Sequence, residues 1–249
     1  MYQGYLEDDW NTIISACKSG NVSKYDVGAR KKLNFTMEGV DYEVDMEIAA
    51  KSHDELVTIS SDYNNGANKA SLTFVSKNVV ATEVAATTGE NKTFVTSDGI
   101  TLTGITVGGW ENSLLRNWMN ASLFGALPME LRTNIKKVKK LSDLGSVGTT
   151  KEGASELRVL HETEDVLWAP SITELARELA SENVLGQGQP YPVYTNHASR
   201  IKDNNGVAVT YWTRSAPNWD SQWIYITEEG DQYHRTSLGK RYVCLGFCL

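Results

Sequence analysis

Cysteine, proline and histidine are scarce: the 249-residue chain has three, five and four of them. Cys17, Cys244 and Cys248 are too few and too unevenly spaced for a disulfide framework, which excludes a small secreted scaffold held by bridges. His53, His161, His197 and His234 show no metal-ligand spacing, and none adjoins a serine or cysteine in a nucleophile motif. No apolar run approaches the ~18 residues that a membrane span needs. The opening MYQGYLEDDW has neither the basic nor the apolar region of a signal peptide, so cytoplasmic synthesis without membrane insertion is expected. Basic charge is also in deficit, 24 Lys+Arg against 31 Asp+Glu, for a net charge of −7. A nucleic-acid surface spread over the whole chain is therefore not expected. The local exception, Lys136-Lys137-Val138-Lys139-Lys140 after Arg132, is expected to be the solvated face of a helix rather than a phosphate site.

Aromatic residues are plentiful near the C-terminus. Trp212, Trp219 and Trp223, three of the chain's seven tryptophans, stand close together there with Tyr211, Tyr225, Tyr233 and Tyr242 around them. Trp223-Ile224-Tyr225-Ile226-Thr227 alternates with period 2, as does Tyr242 to Leu249, so both are expected to be strands and to pair with each other. Glu228-Glu229-Gly230-Asp231 is a polar turn. The alternation places Ile224, Ile226, Val243, Leu245 and Phe247 on a buried face and leaves Trp223 and Tyr225, with Tyr233 beyond the turn, on an open one. Tyr and Trp beside Ser, Asn, Asp and Gln form the mixture that binding surfaces use; the competing reading is an ordinary sheet edge whose aromatics belong to the strand.

Earlier in the chain, Trp10, Ile13, Ile14 and Cys17 recur at helical spacing between Asp8-Asp9 and Gly20, an amphipathic helix in an N-terminal segment, residues 1–26. Its stripe must bury against the following domain, residues 27–249, or against a second copy of the chain. Lys31–Met37 and Val40–Ile48 flank Glu38-Gly39 as a hairpin. Thr87 to Val107 is rich in Thr, Gly and Ser and is expected to hold short strands and loops. Trp110, Leu114, Leu115, Trp118 and Met119 form a helical stripe, and a second one follows Pro128 through Leu131, Ile135 and Val138. Leu141 to Ser155 is a linker, and Val166-Leu167-Trp168 a short strand. Ser171-Ile172-Thr173-Glu174 is a capping box that opens a helix through about Ala180. Asn204-Asn205-Gly206 turns the chain into a strand from Val207 to Trp212.

Seven segments then fall in a recognisable order: Gly108-Gly109-Trp110-Glu111 with Leu115-Arg116; Leu127-Pro128 through Leu131 with Ile135-Lys136; Leu167-Trp168-Ala169-Pro170-Ser171 with Glu174; Tyr191-Pro192 with Tyr194-Thr195; Ala198-Ser199-Arg200; Tyr211-Trp212-Thr213-Arg214-Ser215; and Gly246-Phe247-Cys248-Leu249. From about Val27 to its end the chain resembles a domain-of-unknown-function family of gut bacteria and their phages whose fold is similar to that of C-type lectins. The resemblance implies an α+β domain with two main helices, long loops and a small twisted antiparallel sheet, its terminal strands near one another. It also implies kinship with the variable proteins of diversity-generating retroelements, non-enzymatic binders from phages or prophages whose C-terminal surface is rewritten on a fixed skeleton. That surface here comprises Asn218, Trp219, Asp220, Ser221, Gln222, Trp223, Tyr225, Thr227, Asp231, Gln232, Tyr233, His234 and Arg235. A protein or glycan on a cell surface is the implied target, virion association and self-assembly stay open, and no cofactor is expected.

Other chemistries are weaker. The Glu-Pro-Asn and Trp-Asn-Asp motifs that supply calcium ligands in lectins are absent. Formylglycine-generating enzymes share the broad fold and use paired cysteines, but Cys244 and Cys248, four apart on a strand, stand ~13 Å from each other, beyond the ~7 Å limit for a bridge. They are expected to be buried beside Phe247. A structural role, with the aromatic face as a subunit contact, is the remaining alternative. Arg200 and Arg214 are expected to pair with acids such as Asp220 or Glu174, with Glu111 an equal candidate.

Overall fold

The computed structural model describes residues 4–95, 99, 101–144, 148–149, 160–179, 187–217 and 221–249. Helix α1, Trp10–Ser19, is capped by Asp9, whose carboxylate accepts from Thr12 N at 2.7 Å, and stops at Gly20, where φ is 74° and the amide turns back to the Ala16 and Cys17 carbonyls. Its predicted stripe of Trp10, Ile13, Ile14 and Cys17 is buried. Trp10 packs edge-on against Phe74, ring centroids 5.4 Å apart, so the helix closes on this chain's own sheet and not on a second copy. Each large side chain buried in this way contributes about 1.5–3 kcal/mol.

Strands β1 (Arg30–Met37) and β2 (Val40–Lys51) form the expected hairpin, with Glu38 and Gly39 both at positive φ. Next come β3 (Leu72–Ser76), β4 (Val80–Ala85), β5 (Lys92–Val95) and β6 (Thr101–Gly104). Helix α2, Leu114–Trp118, runs through a π turn, Met119–Leu123, into α3, Phe124–Ala126, and α4 is Met129–Arg132. Strands β7 (Val138–Asp143), β8 (Gly148–Thr149) and β9 (Leu160–Asp165) precede α5, Ile172–Leu175. The chain ends with β10 (Lys202–Asn204), β11 (Val207–Val209), β12 (Tyr211–Trp212), β13 (Gln222–Ile226), β14 (Gln232–Thr236), β15 (Lys240–Val243) and β16 (Gly246–Cys248).

This is an α+β architecture of mostly antiparallel sheets with few helices. One sheet has the order β1-β2-β3-β16, so the first and last strands form its two edges. A second has the order β14-β13-β12-β15-β4, antiparallel except between β12 and β15. The expected pairing of Trp223–Thr227 with the last strand is therefore corrected, because β12 lies between β13 and β15. The run from Tyr242 to Leu249 is two strands in two sheets. The break falls at Cys244-Leu245, and β16 opens at Gly246, where a side chain would strike the indole of Trp168, the nearest atom 2.7 Å from its Cβ.

The basic cluster is corrected as well. Helix α4 ends at Arg132, and from Val138 the chain is strand β7, whose alternate residues Val138, Lys140 and Ser142 point inward. A buried lysine at the centre of an alternating run disguises its period. Helix α5 ends at Leu175 and a 3-10 turn, Arg177–Leu179, follows; Ala180 lies outside the described residues. Val166 to Trp168 forms only a bridge, Trp168 with Gly246. No helix among the described residues is long and apolar enough to cross a membrane.

Candidate functional site

Sheet β14-β13-β12-β15-β4 carries the predicted surface, and its two faces pack into different clusters. Tyr211, Ile224, Ile226 and Cys244 join Ile172 and Leu175 of α5. Trp212, Trp223, Tyr225 and Val243 join the main cluster, with Leu115 and Met119 of the helical run. The expectation of an open aromatic face therefore fails for Trp223 and Tyr225, which are 0% and 8% exposed. The indole N–H of Trp223 donates to Thr213 O at 2.8 Å and that of Trp212 to Val84 O at 2.7 Å, so both rings are satisfied inside. Alternation tells which side of a strand a residue takes but not whether another layer covers that side.

The rest of the predicted set divides by position. Asn218, Trp219 and Asp220 lie outside the described residues. On the edge strand and its turn, Asp231, Tyr233 and Arg235 are exposed, Tyr233 by 48%, while Ser221, Gln222, Thr227, Gln232 and His234 are half-buried. Register brings these together, with Tyr225 opposite Tyr233, Trp223 opposite Arg235 and Gln222 opposite Thr236. Residues opposite one another point to the same face. Tyr233 is accordingly edge-on to the buried Tyr225, centroids 6.0 Å apart, and the Arg235 guanidinium lies 5.3 Å from its ring centre. Gln222 accepts from or donates to His234, and Asp231 is held by His197 Nε2 at 2.7 Å. What remains open is a small polar-aromatic surface, built on two strands and backed by a fixed core.

A second constellation is buried and charged. Lys140 Nζ reaches Asp54 Oδ1 at 2.5 Å, Tyr191 Oη at 2.8 Å and Glu174 Oε1 at 3.1 Å, and lies 3.8 Å from the Trp168 ring centre. Arg214 gives Nε to Leu141 O, Nη1 to Ala169 O and Glu174 Oε2, and Nη2 to Glu174 Oε1 and Gln187 O. All three ammonium and all five guanidinium donors are thus occupied. Of the acids considered for the two arginines, Glu174 pairs with Arg214, while Arg200 pairs with Glu178, which was not among them, at 2.9 Å. Glu174 is presented by the predicted capping box, Ser171 Oγ accepting from Glu174 N and Glu174 Oε2 from Ser171 N. Two acids and two bases cancel in charge, and a cavity of about 150 Å³ opens beside them at His53 and Gln189. With every donor committed, Lys140 has no hydrogen to give a substrate; the network ties β7, α5 and β12 together.

Burial alone would raise the carboxyls of Asp54 and Glu174. For Asp54 the ammonium of Lys140 and His53 outweigh it, for Glu174 the charges of Arg214 and Lys140, so both carboxyls sit below their ordinary range. Because the unfolded chain then takes up protons at higher pH than the folded one, this stabilisation is complete above about pH 4 and is lost as pH falls toward the folded values. Denaturant titrations at neutral pH and near pH 3 are expected to show that loss, and Glu174→Gln to make it smaller. Of the two C-terminal cysteines only Cys248 borders the network, its thiol donating to Asp54 Oδ2 at 3.8 Å. Cys248 packs in the main cluster and Cys244 in the other, and burial pushes both thiols up.

Lys140, Asp54 and His53 were not apparent as a site in the sequence. The capping box located Glu174, and Tyr211-Trp212-Thr213-Arg214-Ser215 marked Arg214, but the acids reach Lys140 from segments 86 and 34 residues away. Among the described residues no group of three His, Cys, Asp or Glu side chains is arranged to hold a metal ion. No curated protein and no solved structure matches the chain. A family model described as a domain of unknown function, DUF6273, matches residues 90–248, which span α2 to α5, the buried charge network except Asp54, and the hairpin surface. The chain belongs to the DUF6273 family.

Proposed function

We propose that this chain is a non-enzymatic binding protein that meets a protein or glycan on a cell surface through the β13–β14 hairpin. The observation that carries the reading is the division of one hairpin into two sets of side chains. Trp223, Ile224, Tyr225 and Ile226 are spent on two cores, while Tyr233 and Arg235, directly across the ladder, face solvent and have no structural duty of comparable size. A rigid sheet presenting Tyr and Arg loses little entropy on binding. The same division suits a C-type-lectin-like fold of the kind found in variable proteins of diversity-generating retroelements from phages and prophages, in which a surface changes over a constant frame. In this chain the changeable set is Ser221, Gln222, Thr227, Asp231, Gln232, Tyr233, His234 and Arg235, with Asn218, Trp219 and Asp220 beside it in sequence. Trp223 and Tyr225 move from that set to the frame.

The test is a screen of the full chain against purified cell-surface proteins and arrayed glycans, followed by affinity measurements on the hit with Tyr233→Ala and Arg235→Ala. Each is expected to weaken binding by about tenfold, the size of a modest hot spot, with at most a small fall in melting temperature. Undiminished binding in both variants rejects the hairpin as the recognition surface.

A further inference from the structure

Arg241, half-buried on β15, lies over Tyr225 with its guanidinium carbon 3.9 Å from the ring centre and 4.7 Å from that of Trp212. Its Nε is shut off from solvent with no partner, and no acceptor among the described residues takes its other N–H groups. A donor left this way costs about 1–3 kcal/mol. The rings cover the guanidinium and its Nε is closed to solvent, so an acceptor from outside must use the two Nη groups, a pair of donors that a carboxylate can take bidentately. Gly239 leaves room beside the guanidinium; a Cβ there would stand 3.3 Å from Arg241 Nη1. Gly239 does not occupy the left-handed region, so its bare backbone supplies room rather than a special conformation.

Arg241 belongs to the surface described above. Tyr225, beneath it, touches Tyr233, and Arg235 stacks on Tyr233 in turn. Neither Arg235, Lys240 nor Arg241 has a carboxylate within ion-pair distance among the described residues, although the chain as a whole carries −7. The acidic residues of the hairpin lie at its turn, Glu228, Glu229 and Asp231, and Asp231 is occupied by His197. The open end of the hairpin is therefore locally positive on an acidic protein.

Resting on the hairpin reading, we propose that Arg241 is the anchor of the surface and receives an acidic side chain of a partner protein, with Arg235 and Lys240 flanking it. A protein is favoured because Tyr233 and Arg235 on β14 and Lys240 and Arg241 on β15 are spread over one sheet, a broad face, whereas small-molecule sites are concave. Tyr, Trp and Arg are moreover the residues that anchor protein interfaces.

The test measures binding of the full chain to three immobilised probes: an oligoglutamate peptide, an oligoglutamine peptide and a sulfated heparin oligosaccharide. Oligoglutamate is expected to bind, oligoglutamine not, and the signal to fall as salt rises. Arg241→Gln and Arg241→Lys should each weaken it by about tenfold, because lysine keeps the charge but not the fork. Since Arg241 also covers Tyr225, the exposed double variant Arg235→Gln/Lys240→Gln serves as a fold-neutral control and should weaken it by about threefold. Absence of oligoglutamate binding, equal binding by Arg241→Gln, or binding to heparin alone overturns the proposal. A target whose affinity depends on Tyr233 but not on Arg241 leaves the hairpin surface standing and removes only its carboxylate anchor.

Discussion

Lys140→Ala is expected to destabilise the protein by about 3–5 kcal/mol, the cost of removing one partner from a buried ion pair, read as a fall in the urea midpoint. The ammonium is the common partner of Asp54, Glu174 and Tyr191. Its loss leaves two buried carboxylates facing the single positive charge of Arg214. Lys139, its neighbour, pairs with Glu55 and Glu162 at the surface, and Lys139→Ala should leave the urea midpoint nearly unchanged. The contrast between adjacent lysines separates the network from charge in general. If the two variants have equal midpoints, the buried quartet does not hold the strands together.

Trp223→Ala is expected to cost about 3–5 kcal/mol, as for other large aromatic side chains deleted from cores. It removes a fully buried ring and leaves the Thr213 carbonyl without its indole donor. Tyr233→Ala, directly across the ladder from Tyr225, should stay within about 0.5–1 kcal/mol because nearly half its surface is already in water. Thermal melts of the two variants check both values. A small effect at Trp223 or a large one at Tyr233 contradicts the division of the hairpin into frame and surface.

Local signals in the sequence were sound where the interaction is local. Asp9 and Gly20 bound α1, Glu38-Gly39 and Asn205-Gly206 form turns at positive φ, and Ser171 and Glu174 close their capping box. The signals misled where a third layer decides the outcome. The alternation of Trp223 to Thr227 is real, but Trp223 and Tyr225 pack into the main core cluster and Ile224 and Ile226 into the cluster that holds α5, so neither side is free. Lys140 looked solvated because its acids come from distant segments, Asp54 after β2 and Glu174 on α5. The strand order β13-β12-β15 was likewise illegible, since β12 is only two residues long and pairs in parallel with a strand some thirty residues on. The predicted site survives where it lies on an edge strand, at Asp231, Tyr233 and Arg235, because an edge has no neighbour to cover it.

Sequencing the segment that encodes Tyr211 to Leu249 across many isolates tests the division of labour most directly. The account predicts substitutions concentrated at Ser221, Gln222, Thr227, Asp231, Gln232, Tyr233, His234 and Arg235, with Trp212, Trp223, Tyr225 and Val243 unchanged. Variation at Trp223 and Tyr225 as free as at Tyr233 would contradict it.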